Sequence, residues 1–224
     1  MKYIFSIVII ALFGCSDIPV ENIDSGNLAP EAVVGKGDSL HPDLESQASN
    51  DSEVPYFFQY SNRLYPGSSC QNTSVAMVLS HLGWPGVPDD ITALWGKDYA
   101  QSPHNLSNMF NEIASAEDLS GRLVTNTDGS LTEFRNLASA GNVLIIHGYF
   151  TGYGHVLVVT GFDGTYYTAN DPAGAWIGTF RGGYGWSGAT DGHDVRYNRD
   201  SFETAIGTSD GHSPLPLWYH VLRR

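Results

Sequence analysis

Between Cys70 and Leu82 the apolar positions form no stripe. Val75-Ala76-Met77-Val78-Leu79 is apolar all the way round, the pattern of a helix buried on every side rather than one lying on a surface. Ser68, Ser69 and Asn72 are residue types that cap helix starts, and Gly83 supplies a stop, so the spacing predicts a helix over 70–82. Residues 84–140 differ. "DDITALWGK", "SPHNLSNMFNEIASA" and "SLTEFRNLASA" each carry a capping residue and apolar residues three to four apart, which predicts mostly exposed helices. Beyond residue 140 the period changes again. "NVLIIHGYF", "GHVLVVTGFDG" and "TYYTANDP" are rich in β-branched and aromatic residues and predict strands, with a hairpin turn at Asp163-Gly164. "VPYFFQY" reads as a short leading strand and "PLPLWYHVL" as a closing one. Helices first and antiparallel strands after predict an α+β domain over 54–224.

Ahead of Val54 the pattern changes in kind. Lys2 is followed by an apolar run from Tyr3 to Phe13 and then Gly14-Cys15, a secretory signal segment over residues 1–14. Leu12-Phe13-Gly14-Cys15 resembles a bacterial lipobox, which implies a lipid on Cys15 and a membrane anchor. Ser16 rather than Asp after the cysteine implies the outer membrane. From Ser16 to Glu53, nine acids face one Lys with no helical or strand period. Residues 15–53 are therefore expected to form a disordered acidic tether, or a pro-segment that docks through Ala32-Val33-Val34. The formal net charge of −13 excludes bulk electrostatic binding to nucleic acid or anionic lipid.

The chain has two cysteines. With Cys15 lipidated, Cys70 is a lone thiol in an oxidising compartment. A thiol reacts as the thiolate, and a helix start favours an anion through its dipole and its backbone N–H groups. A base is still required, and histidine is the usual one. His155 opens an apolar strand after glycines, and the following hairpin can bring Asp171 back beside it to hold one imidazole nitrogen. His147, on the preceding strand, is the rival base with more buried flanks. Asp171-Pro172 also reads as turn chemistry. His193, His212 and His220 come late among Asp and Gly, and "DGHD" at 191–194 reads as a solvated loop without a spaced metal-ligand set. Trp176, Tyr184 and Trp186 read equally as a substrate groove or as packing. No cofactor or metal is called for.

Together, "VPYFFQY", "CQNTSVAMVLSHLGWP", "GHVLVVTGFDG" and "YYTANDPAG" resemble the peptidase C39-like family of the papain-like cysteine protease superfamily. The resemblance implies a central buried helix carrying the cysteine, packed on an antiparallel sheet. It implies Cys70 as nucleophile, His155 as base and acid, Asp171 as its orienter and Gln59 as oxyanion donor. Gln71 stands where the family often has Gly, and Gln59 lies eleven residues before Cys70, farther than in transporter-linked members, so Gln71 or a backbone N–H stays open as the donor. The implied activity is hydrolysis of a peptide or peptidoglycan-like amide. A peptidoglycan hydrolase of NlpC/P60 or CHAP type and a silent peptide-binding domain are the alternatives.

Overall fold

The buried helix runs from Cys70 to His81 (α1) in the computed structural model, which describes residues 53–185 and 191–224. The signal segment over 1–14, Cys15, the tether up to residue 52 and Trp186 lie outside the described residues. Every residue of α1 from Cys70 to Leu79 is buried, as its all-round apolar pattern requires. The helix ends in a Schellman motif. Gly83 takes φ +94, its N–H donates to Ser80 O, and Trp84 N–H reaches Leu79 O at 3.0 Å. A left-handed residue at that place favours glycine.

After α1 come α2 (Pro88–Trp95), α3 (Pro103–Ala116), β1 (Arg122–Gly129), α4 (Leu131–Ser139), β2 (Leu144–Gly148), β3 (His155–Phe162), β4 (Tyr166–Asn170), β5 (Val195–Asn198), α5 (Arg199–Gly207) and β6 (Leu217–Arg223). The strands form one antiparallel sheet in the order β1-β6-β2-β3-β4-β5. Side chains alternate across it, as a period of two demands. Ile145, Val156 and Val158 pack with α1 and α3 on one face. Leu144, Ile146, Leu157, Val159 and Tyr167 pack with α4 and α5 on the other.

Three sequence expectations change. "VPYFFQY" is extended but pairs with no strand, and it ends in a 3-10 turn over Gln59–Ser61. It is held by side chain and turn contacts instead: Asn170 Nδ2 donates to Val54 O at 2.7 Å, and Gln59 N–H to Pro172 O at 2.8 Å. Residues 84–140 are neither all helical nor mainly a surface layer. They include the edge strand β1, and α3 buries Leu106, Met109 and Phe110. The stretch after Pro172 also holds β5 and α5. Both missed strands lie at the sheet's edges and bury few side chains, so little apolar alternation marks them. The Asp163-Gly164 hairpin is as expected, with Asp163 Oδ1 accepting the N–H groups of Thr165 and Tyr166.

Asn170 is fully buried and bonds two segments, Val54 O through Nδ2 and Asp194 N–H through Oδ1 at 3.0 Å. Asn170→Ala leaves both backbone groups without these partners and is expected to cost about 2 kcal/mol of unfolding free energy, read from urea denaturation. A change within error would show that Asn170 does not clamp these segments.

Candidate active site

Cys70 is the first residue of α1, where backbone N–H groups lack intrahelical acceptors and the helix dipole is positive. The helix start is fixed from three sides. Asn62 Nδ2 donates to Ser69 Oγ and to Thr73 Oγ1, both at 2.9 Å. Asn72 Nδ2 donates to Thr92 Oγ1 at 2.9 Å and to Gly96 O at 3.1 Å. One turn in, Ser74 Oγ donates to Val156 O at 3.1 Å. That last bond ties the cysteine's helix to the residue next to His155.

Cys70, Gln71, His147 and His155 line one narrow cavity. His155 is the first residue of β3 and sits opposite Gly148 on β2. Its Nε2 lies 2.8 Å from Asp171 Oδ1. Asp171, one residue past β4, is 0% exposed. Its carboxylate accepts three further bonds: Ala173 N–H on Oδ1 at 3.0 Å, and the hydroxyls of Tyr184 and Tyr197 on Oδ2, each at 2.9 Å. A carboxylate has about four lone-pair sites and only accepts. His155 must therefore donate from Nε2, which makes Nδ1 the nitrogen that can take a proton. Phe150 and Tyr184 hold the ring edge to face, with centroids 6.1 and 5.1 Å away. Burial first, and then the Asp171 charge, push the Tyr197 hydroxyl well above its ordinary range, so it stays a donor.

Gln71 and Gln59 differ in what they present. Gln71 Nε2 donates to Ser68 O at 3.3 Å and to Lys97 O, while its Oε1 accepts from the Cys70 thiol at 3.3 Å. Both amide protons are spent, so Gln71 faces the sulfur as an acceptor. Gln59 lies outside the residues lining the cavity. It is 1% exposed, gives one Nε2 proton to Pro66 O at 3.0 Å and leaves Oε1 without a partner.

His147 shares the cavity but has no carboxylate behind it. Its Nε2 meets Nε2 of His220 at 3.0 Å. His220 is not a residue of the late polar loops: it is fully buried on β6. Burial pushes His147 down to about 4, and burial with the neighbouring histidines holds His220 well below its ordinary value. Of the other histidines, His81 bonds Arg224 at the far end of α1, His104 lies exposed in the first turn of α3, where it adds to the push on His220, and His193 lies beside Asp194. Tyr197 and His220 carry no sequence signal for these roles. Tyr184 was legible only as one of several aromatics, and Trp176 packs on Phe150 and Tyr197.

A family model described as the Peptidase_C39 like family matches residues 52–203. Among solved structures, the chain is similar to a Bacillus anthracis protein assigned as a C39-like peptidase, with 16% identity and a TM-score of 0.50, over 77% of this chain and 96% of that one. It is also similar to a double glycine motif protease from an AMS/PCAT transporter in complex with the leader peptide, with 18% identity and a TM-score of 0.46, over 76% and 92%. The likeness to the first is one of fold, and the α+β architecture with Cys70 on a buried helix against an antiparallel sheet is papain-like. No curated protein matches the sequence.

The two neutral histidines link stability to pH. Unfolded, they return toward the ordinary 6.5, while folded His147 titrates near 4. Between these values the unfolded chain binds protons that the folded protein refuses. This contribution is complete above about pH 6.5 and is lost as the pH falls, at up to about 1.4 kcal/mol per unit for each histidine. The urea midpoint is expected to drop between pH 7 and pH 5, and to drop less in His147→Phe. Equal drops in both proteins would refute this linkage.

Proposed function

The chain belongs to the Peptidase_C39 like family, and from that premise we propose that it is a cysteine peptidase cleaving peptide or peptide-like amide bonds with Cys70, His155 and Asp171. One observation carries the reading. A fully buried carboxylate holds His155 through Nε2, and His155 lines the same cavity as Cys70, the cysteine at a helix start. Asp171 stabilises the imidazolium that forms when His155 Nδ1 takes the Cys70 proton. His147 is the weaker base on the same logic, since its imidazolium would be buried without a counter-charge.

The thiolate attacks the substrate carbonyl carbon, and the carbonyl electrons move to the oxygen. The Cys70 backbone N–H is one donor to that oxyanion. Gln71 is unsuited as the second because its amide protons are committed to Ser68 O and Lys97 O. Gln59, with one Nε2 proton beyond the bond to Pro66 O, is the remaining candidate and engages once substrate tightens the site. His155 Nδ1–H then protonates the leaving amine, and water hydrolyses the thioester by the reverse proton path. The lipobox-like residues 12–15 support an envelope location with Cys15 lipidated, which makes envelope peptides or peptidoglycan-type amides the substrate class.

Alkylation of Cys70 by iodoacetamide, followed by mass spectrometry, tests the pair. His155→Ala is expected to slow labelling about a hundredfold, and Cys70→Ser to abolish cleavage of fluorescent casein. Equal, slow labelling of wild type and His155→Ala would sink the nucleophile assignment. The Gln71 contact makes a separate prediction, because an acceptor on the S–H favours the thiol over the thiolate. Gln71→Met is expected to raise the labelling rate about threefold to tenfold at pH 7, and an unchanged rate would show that Gln71 does not restrain the thiol.

A further inference from the structure

The cysteine mechanism leaves unused a chain of four side chains behind the cavity wall. His147 Nε2 is 3.0 Å from His220 Nε2, and His220 Nδ1 is 3.0 Å from Thr125 Oγ1. Thr125 Oγ1 is 2.7 Å from Ser107 Oγ, which is 3.1 Å from the carbonyl oxygen of His104. The far end sets the polarity of the whole chain. A carbonyl oxygen only accepts, so Ser107 gives its proton to His104 O and accepts from Thr125. Thr125 has then given its only proton and must accept from His220 Nδ1–H. Neutral imidazole carries one N–H, so His220 Nε2 is a lone pair that accepts from His147 Nε2–H. His147 is left with a lone pair on Nδ1. Burial keeps both rings neutral. Among the described residues the ring of His147 is hydrogen-bonded through Nε2 alone, and His147 lines the cavity with Cys70 and His155.

Resting on the cysteine-peptidase reading, we infer that His147 is a substrate-binding residue whose Nδ1 accepts a backbone amide N–H of the peptide lying across Cys70, with His220, Thr125 and Ser107 as positioning residues that fix this polarity. The chemistry selects the ligand group. A carbonyl or carboxylate placed there would meet lone pair against lone pair, and an ammonium would lose its hydration in a buried wall. A neutral N–H replaces the bond that Nδ1 lacks. The same wall discriminates against a residue without that proton, such as proline or an N-methyl amino acid, because the buried acceptor is then left unpaired.

Three affinity labels separate this from a structural role: acetyl-alanyl-alanyl chloromethyl ketone and the two analogues N-methylated at one or the other alanine. On wild type, one N-methyl analogue is expected to label Cys70 about tenfold more slowly than the parent. That ratio is expected to fall to about one in His147→Phe. It is expected to do the same in Thr125→Val, where His220 loses the acceptor for Nδ1–H and the relay reverses. Wild type indifferent to both N-methyl groups, or a ratio that survives in the His147 variant, would overturn the inference. His155→Ala instead slows all three labels together, and labelling no faster than that of glutathione would refute the nucleophile and not the relay. A readout independent of Cys70 comes from nitrogen NMR of histidine-labelled wild type at pH 7. His147 is expected to show protonated Nε2 and bare Nδ1, and a protonated Nδ1 overturns the polarity whatever the thiol does.

Discussion

A carboxylate taken wholly out of water is tenable only where donors replace its hydration, and in this protein that replacement organises one end of the sheet. The four donors to Asp171 come from β3, from the turn after Pro172, from the segment around Tyr184 and from β5. Its backbone is held as closely as its side chain. Asp171 N–H donates to Gly192 O at 2.7 Å, and a Cβ on residue 192 would lie 2.0 Å from Asp171 O and 2.5 Å from the Tyr56 hydroxyl. Only a glycine fits there. Loops that look like loose Gly- and aromatic-rich connections are therefore pulled into register by one charge.

The same cavity holds two imidazoles with opposite assignments, and their second nitrogens explain why. His155 backs onto the Asp171 carboxylate, which can offset a positive charge on the ring. His147 backs onto another neutral ring and is built to stay uncharged. Environment rather than residue type makes the two rings differ. The arrangement also explains why two histidines facing each other within the interior carry no penalty of like charge, since a donor on one ring meets a lone pair on the other.

The sequence carried the parts of this site that sit on strongly patterned elements. Cys70 heads a run too apolar to be anything but a buried helix, while His155 begins the first and Asp171 directly follows the second of two strands joined by a readable Asp-Gly turn. What it could not carry depends on distant partners. The polarity of Gln71 follows from the carbonyl of Lys97, 26 residues away. The meaning of His220 follows from a ring 73 residues earlier. Strands β1 and β5 escaped because they bury few side chains, with burial patterns that leave only Leu123 and Gly129 on β1 and Tyr197 on β5 fully inside. Tyr197, on one of them, gave no hint of the carboxylate it serves.

The placement of β6 has a kinetic consequence. This strand lies between β1 and β2, pairing Arg122 with Arg223 and Leu144 with Val221. The last described strand to emerge from the ribosome is thus an interior one, pairing with strands roughly 75 to 100 positions earlier in the chain. Contacts of such separation are slow to form. Until β6 has been synthesised, β1 has no strand partner and β2 keeps one hydrogen-bonding edge open, the usual route to mispairing with other chains. The thiol's helix, the β3–β4 hairpin and its carboxylate can assemble earlier, from residues up to Tyr197. The sheet that encloses them is completed only after translation has passed its final strand.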